Sequence, residues 1–295
     1  MSLTTWSIEA FADLWMLEAE APLMVVNVPN DTPDKPWNVY VDESVQANVT
    51  SDDPIPKPPF FYSVTAYVAT FARWKEFEKQ WQMALNHFKS PPFHMTDFMA
   101  REGDFKNLGW DDNKRNDYVE LLCITAAEHT IMGAGCGIFQ KDYEAALPED
   151  LRQKWIDPWY FCVYGMLSLV AGAESGLGKV VPRPLYFLFD NKKEFQFKAL
   201  ELFGVFKSAI EKNERDKDLF GDAAFGSRMR YAPLQAADLL VYVVNRRFKE
   251  MALRLPYKMQ KPLDRLNRKG NIHVAFPDEN MLRKYVEFLR EEHPD

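Results

Sequence analysis

Apolar and polar positions along this chain change between the two-residue period of strands and the three-and-four spacing of helices. The runs WNVYVDES (37–44) and FFYSVTAYVAT (60–70) predict two strands, which we expect to pair antiparallel. Residues 74–88 repeat large apolar side chains every three or four positions, which is typical of a helix with one apolar stripe.

Further strands and helices alternate along the rest of the chain. The pattern predicts strands at 131–139, 184–190 (PLYFLFD) and 220–227, and helices at about 116–129, 155–172, 195–212, 232–248 and 278–291. Alternation after two initial strands predicts an α/β fold with a mixed sheet covered by helices. The glycines of GAGCG (133–137) are expected within a strand, as close contacts rather than as a phosphate loop.

Charge divides the chain into a short N-terminal extension and one domain. Six acidic residues precede the first basic one, Lys35, although the formal net charge of the whole chain is only −7. A short amphipathic helix is expected at 5–20 within this segment. We therefore expect an acidic extension at 1–36 and a domain at 37–295, which ends in a basic and helical extension.

Composition favours a soluble cytoplasmic protein. Hydrophobic residues make up 47% and charged residues 27%, an ordinary globular mixture. No apolar run is long enough for a membrane span, and the first residues lack the basic side chains of a signal peptide. Three widely spaced cysteines in apolar surroundings predict buried free thiols, as in a reducing compartment.

Two acidic residues end the first predicted strand. Asp42 and Glu43 follow the apolar run VYV, and alternation sends their side chains to opposite faces of the sheet. We favour Asp42 as a metal ligand and place Glu43 second. The alternative is that the pair only initiates a turn.

Two further carboxylates lie in apolar elements. Asp190 ends PLYFLFD, and ligands of open α/β sheets bind beyond the carboxyl ends of such strands. Asp238 shares a thin polar stripe with Gln235 and Tyr242 on an otherwise apolar helix, so we expect it to be buried with a partner. The alternatives are a capping residue for Asp190 and a solvent-facing stripe for Asp238.

His94 and Asp97 in FHMTDF add a possible fourth corner to this acidic group. They could bind metal or activate water, or Thr96 or Asp97 could instead serve as a helix N-cap. Hard oxygen ligands suit Mg²⁺ or Mn²⁺, whereas the histidines and cysteines show no zinc-ligand spacing.

The chain resembles the family of domain of unknown function 3800, a ribonuclease-H-like group. Four segments together carry the resemblance: VYVDES, FHMTDF, the strand ending in Asp190, and SRMRYAPLQAADLL. The resemblance covers about residues 37–250, and it departs from the family where Val45 replaces a glycine after DES. It implies a ribonuclease-H-like mixed sheet flanked by helices. Further motif positions carried over from the family are Glu43, His94, Asp97, Ser227 and Gln235.

The resemblance implies a nuclease that cleaves phosphodiester bonds of DNA or RNA with two metal ions. It implies that Asp42, Asp190 and Asp238 hold the metals while His94 orients water or moves a proton. The extension at 1–36 departs from the family and suggests docking of a protein partner. Nine basic residues in 246–269 could contact a phosphate backbone or could be a solvated helix end. The alternative function is a non-catalytic subunit that binds nucleic acid or a partner.

Overall fold

Strands and helices alternate through most of this computed structural model, which describes residues 37–45, 61–150, 152, 158–177, 184–191, 196–212, 217–252, 254–256, 258 and 260–292. The strands within these ranges are β1 (Trp37–Val45), β2 (Phe61–Thr70), β3 (Met132–Phe139), β4 (Leu185–Asp190), β5 (Phe220–Gly226) and β6 (Ile272–Ala275). The predicted extension at 1–36, with its helix at 5–20, lies outside the described residues.

Helices connect these strands and cover the sheet. They are α1 (Phe71–Phe88), α2 (Met95–Ala100), α3 (Asp112–His129), α4 (Gln140–Ala146), α5 (Pro158–Leu177), α6 (Gln196–Ile210), α7 (Ala232–Ala252), α8 (Gln260–Leu266) and α9 (Glu279–Glu292), with a 3₁₀ turn at Gly103–Phe105. The long periodic segments match the prediction within a few residues. The sequence pattern did not indicate the short elements α4, α8 and β6, and it offered a helix near α2 only as an alternative.

One mixed sheet with the strand order β5-β4-β1-β2-β3-β6 runs through the domain. β1 pairs antiparallel with β2, as predicted, and β2 pairs antiparallel with β3. β4 lies parallel to β1 and to β5, while β6 lies parallel to β3. The expected α/β class with a mixed sheet is confirmed.

The two faces of the sheet carry different helices. Side chains of Ser63 and Thr65 on β2 hydrogen-bond to Asn245 and to the carbonyl of Ala237, so their face packs against α7. α1 and α3 accompany α7 on this side, while α5 covers the opposite face of β2 and β3. Because α7 lies across β1 and β2, the central strands are buried on both faces.

β4 is more exposed than the sequence predicted. Its unbroken apolar run predicted burial on both faces, yet Tyr186 is 40% exposed while Leu185 and Phe187 are buried. The reason is that α7 packs over β1 and β2, which leaves this side of β4 less covered. The carboxyl end of β4 is consequently accessible from the α7 face.

No helix among the described residues is both long and apolar enough to cross a membrane.

The glycines of GAGCG lie within β3, as predicted. A Cβ on Gly135 would lie 2.8 Å from Cγ2 of Thr65 and 3.2 Å from Cγ1 of Val274. We expect Gly135→Ala to lower the free energy of unfolding by about 1–3 kcal/mol, because the neighbouring strands leave no room for a methyl group. Urea unfolding followed by circular dichroism measures this change.

Gly204→Ala is the matched control for that substitution. Gly204 lies on the exposed side of α6, and a Cβ there has no neighbour within 4 Å. Helix propensity predicts an increase of up to about 1 kcal/mol for this variant. Equal stability of the two alanine variants would contradict the close packing around Gly135.

Candidate active site

Asp42 faces helix α7 from the end of β1. It lies opposite Thr65 in the antiparallel register, so the two side chains share a face of the sheet. The Thr65 hydroxyl donates to the carbonyl of Ala237, 3.4 Å away, and Ala237 immediately precedes Asp238. Asp42 is only 1% exposed, and its Oδ1 accepts the backbone N–H of Glu43 at 2.8 Å. The sheet and α7 thus bring Asp42 to the neighbourhood of Asp238.

Glu43 faces the other side of the sheet. It pairs with Val64, which in turn pairs with Cys136, and the Cys136 sulfur lies against Gly165 of α5. Glu43 is buried on this face. The structure therefore does not bring its side chain together with that of Asp42.

Asp190 occupies the strand position beside Asp42. The parallel register between β1 and β4 pairs Val41 with Phe189, and one further step along both strands brings Asp42 next to Asp190. Neighbouring strands lie about 4.8 Å apart, and residues in register share a face. Two of the three predicted aspartates are thus adjacent on the sheet.

Arg228 lies against Asp190. Its Nη1 is 3.5 Å from Oδ2 of Asp190, and its backbone N–H donates to Oδ1 at 3.3 Å. Asp190 is 7% exposed, whereas the Arg228 side chain is 26% exposed. Both distances are long for charge-assisted hydrogen bonds. Arg228 therefore forms a loose ion pair with Asp190 at the surface of the site.

Gln235 on α7 joins three separate segments of the chain. Its Oε1 accepts the indole N–H of Trp81 at 2.8 Å and the backbone N–H of Phe93 at 2.9 Å. Its Nε2 donates to the carbonyl of Arg228 at 2.8 Å. This buried amide fixes the segment before α2 and the turn after β5 relative to the same helix.

Asp238 fixes the start of α2. Its Oδ2 accepts the backbone N–H of Met95 at 2.6 Å, and Asp238 is only 6% exposed. The expectation of a buried carboxylate with a partner is met by this contact. An acidic group at a helix N-terminus also interacts favourably with the helix dipole.

The predicted N-cap in FHMTDF is wrong. α2 begins at Met95, so Thr96 and Asp97 lie inside its first turn, and His94 is the N-cap residue without a side-chain capping bond. The N–H of Met95 finds its acceptor on another element, the Asp238 carboxylate of α7. His94 and Asp97 are thereby left to interact with each other.

His94 and Asp97 form a close pair on the surface of the site. Nδ1 of His94 lies 2.7 Å from Oδ2 of Asp97. A carboxylate at Nδ1 fixes the orientation of an imidazole ring and directs Nε2 away from that carboxylate. Asp97 is also close to Gly103, whose φ of 52° allows the chain to turn beside it.

These groups surround one pocket of about 270 Å³. Residues from three separate segments line it, namely Pro92, His94, Asp97, Asp104, Phe105, Asp190, Asn191, Ser227, Arg228 and Met229. Asp42 and Asp238 are buried and do not line this pocket. The sequence analysis did not predict Asp104 and Arg228 as site residues. Neither lies in an apolar strand or helix, where a charged residue would indicate a functional role.

The described residues contain no group of three His, Cys, Asp or Glu side chains arranged to hold a metal ion. The donor chemistry around the pocket nevertheless fits Mg²⁺ or Mn²⁺, because Asp97, Asp104 and Asp190 supply carboxylate oxygens to one cavity. Asp42 follows Val41, the partner of Phe189, so it lies near Asp190 without lining the pocket. In the structure Arg228 pairs with Asp190, and His94 pairs with Asp97.

Part of the basic stretch at 246–269 is neutralised by α3. Glu120 pairs with Lys261 and Arg265, and Glu128 pairs with Arg268 and Lys269. These contacts dock the C-terminal region onto the domain.

All three cysteines are buried and free, as predicted. Burial, together with the nearby Glu120 carboxylate, raises the pKa of the Cys123 thiol to about 12. A thiol of this kind is a poor nucleophile at neutral pH.

Comparison of the chain with protein-family models and with curated proteins gave no match. The function proposed below is therefore argued from the geometry of the site and from the motifs of the sequence.

We expect Asp238→Ala to lower the free energy of unfolding by about 1–3 kcal/mol, because the buried N–H of Met95 loses its acceptor. Asp238→Asn keeps an acceptor oxygen and should cost less than about 1 kcal/mol. Chemical denaturation of the two variants measures the difference. An equal loss in both would show that charge, rather than the hydrogen bond to Met95, determines the role of Asp238 in stability.

Proposed function

We propose that this chain is a divalent-metal-dependent nuclease with a ribonuclease-H-like fold, which hydrolyses phosphodiester bonds of DNA or RNA in the cytoplasm. The observation that carries the proposal is the pocket that joins Asp190 to His94, Asp97 and Asp104, with Asp42 adjacent to Asp190 on the sheet. Acidic side chains are expensive to concentrate in this way without a positive ligand.

The origin of each carboxylate supports the ribonuclease-H-like assignment. Asp42 comes from the first strand, Asp190 from the end of the fourth strand, and Asp238 from a long helix that follows the fifth strand. The resemblance to the family of domain of unknown function 3800 implies carboxylates from the first strand, from the end of the fourth strand and from the last helix. The two strand positions match, whereas α7 is followed by α8 and α9. Membership of that family is part of the proposal.

Mg²⁺ or Mn²⁺ would be held by Asp190 with Asp97 or Asp104, which line the same pocket, and by Asp42, which is buried near Asp190. Bound metal would activate the attacking water and stabilise the leaving oxygen. Arg228 is placed to contact a phosphate oxygen, since its guanidinium is partly exposed beside Asp190. Asp238 would act as a positioning residue, because its carboxylate accepts the N–H of Met95.

His94 is the group best placed to move a proton. Its ring lines the pocket, and the contact of Nδ1 with Asp97 fixes the ring orientation. Such an imidazole can take a proton from water or give one to the leaving oxygen. Asp97 would then orient His94 rather than bind metal, which leaves Asp104 as the second carboxylate of the pocket.

A non-catalytic subunit that binds nucleic acid or a protein partner is the second candidate function. The ion pair between Arg228 and Asp190 favours it, because this contact already supplies positive charge to a predicted metal ligand. A site whose carboxylates were permanently neutralised in this way would have no need of a cation.

Asp190→Asn should reduce Mn²⁺- or Mg²⁺-dependent cleavage by at least about a hundredfold, since a lost metal ligand removes several kcal/mol of transition-state stabilisation. Cleavage of labelled single-stranded and duplex DNA, RNA and hybrid substrates measures the rate. Asp222→Asn is the control, because Asp222 is an exposed carboxylate on β5 that does not line the pocket.

Anomalous diffraction from crystals soaked in Mn²⁺ provides a second measurement that is independent of activity. We expect manganese beside Asp190 in the wild type and none there in Asp190→Asn. Cleavage by the variant at the wild-type rate would remove Asp190 from the mechanism. Absence of cleavage by any protein, with nucleic-acid binding retained, would favour the non-catalytic function.

A further inference from the structure

A second pocket of about 530 Å³ lies on the other side of helix α2. Its lining comes from α2 and the residue that ends it, from α3, and from residues between Lys258 and Arg265. Its volume is within the range of small-molecule and cofactor sites. The proposed nuclease site makes no use of it.

The rim of this second pocket is strongly basic. Five of its lining residues are Arg or Lys, and only Asp112 and Glu120 are acidic. Asp112 forms an ion pair with Arg101, while Glu120 forms ion pairs with both Lys261 and Arg265. Positive charge is therefore in excess at this place, in a chain whose formal net charge is −7. Such an excess attracts an anion.

Arg115 is the most enclosed of these cations. Its guanidinium lies 4.1 Å from the centre of the Phe98 ring and donates to the carbonyl of Phe98. Burial lowers the pKa of Arg115, and neighbouring Arg101 lowers it further. A bound anion would relieve this repulsion between like charges.

The floor of the second pocket is apolar. Val119 from α3 and Met99 from α2 contribute apolar surface, and Met99 is 40% exposed, while Cys123 is fully buried beneath them. Together with the planar guanidinium of Arg115, this floor offers a surface for a flat ring. Nucleic-acid bases stack on aromatic side chains and on guanidinium planes when the strand is unpaired.

Helix α2 separates the two pockets. His94 and Asp97 line the acidic pocket, whereas Phe98 and Met99 line the basic one. A helix with its side chains is about 10 Å wide. About three nucleotides of a stacked strand span this distance, at about 3.4 Å per nucleotide.

We propose that the basic pocket binds one nucleotide of a single-stranded segment, with phosphates at the rim and the base on the apolar floor, while the same strand continues to the acidic pocket. This assignment rests on the proposed function, because it names the strand that the acidic pocket would cleave. A duplex hides the faces of its bases, so an unpaired strand fits the floor better.

The test measures binding of a fluorescein-labelled single-stranded oligonucleotide of about 12 nucleotides by anisotropy, in buffer with EDTA so that no cleavage occurs. The double variant Lys258→Glu/Lys261→Glu changes two exposed rim residues. We expect at least about tenfold weaker binding at about 100 mM salt, because two phosphate contacts are lost. The slope of log K against log salt should fall by about 1.4.

Lys79→Glu/Lys212→Glu is the matched control, because both lysines are exposed, line neither pocket and give the same change in net charge. We expect it to bind like the wild type. Equal weakening in the two double variants would overturn the assignment, since net charge alone would then explain binding. An abasic strand bound as tightly as the normal strand would overturn the role of the floor.

The same assay separates this inference from the proposed nuclease activity. Cleavage of the same oligonucleotide by the wild type is measured separately, in buffer with Mg²⁺ or Mn²⁺ in place of EDTA. Suppose that Lys258→Glu/Lys261→Glu weakens binding and the control does not, but the wild type cleaves no strand. This result would contradict the nuclease and support the basic pocket. Cleavage by the wild type, together with binding that Lys258→Glu/Lys261→Glu does not weaken, would support the nuclease and contradict the basic pocket.

Discussion

Gln235 and Asp238 are polar side chains buried in a helix that is apolar on nearly every other side, and the candidate chemistry depends on how their hydrogen bonds are satisfied. Buried polar atoms need partners because water cannot reach them. Here the partners are backbone N–H groups of Phe93 and Met95, together with the carbonyl of Arg228. The location of His94, Asp97 and Arg228 around one pocket follows from these contacts.

The adjacent carboxylates of Asp42 and Asp190 set the electrostatic problem of the site. Two unit charges about 5 Å apart repel by about 3 kcal/mol at an effective dielectric constant of about 20. Arg228 offsets part of this repulsion from one side, but at a distance that gives a loose contact. A divalent cation between carboxylates would offset more, which is why the pair favours a metal-dependent function over a purely structural one.

Residue patterns predicted the long elements and the burial of the aspartates, because both depend on local apolar periodicity. Asp42, Asp190 and Asp238 each interrupt an apolar run, so their burial could be inferred from the neighbouring residues alone. Arg228 and Asp104 reach the pocket through turns whose path depends on packing against α7 and α2. The exposure of Tyr186 likewise depends on which strands α7 covers, and no pattern within PLYFLFD contains that information.

Helix α2 has only six residues, too few for a helix to be stable by itself in water. Opposite charges hold its two ends, since Asp238 accepts the N–H of Met95 at the start and Arg115 donates to the carbonyl of Phe98 near the end. This arrangement agrees with the helix dipole, which favours negative charge at the N-terminus and positive charge at the C-terminus. A metal ion that drew Asp238 away, or a phosphate that drew Arg115 away, would each remove one of these contacts. Because residues of α2 line both pockets, a shift of α2 would change the shape of both.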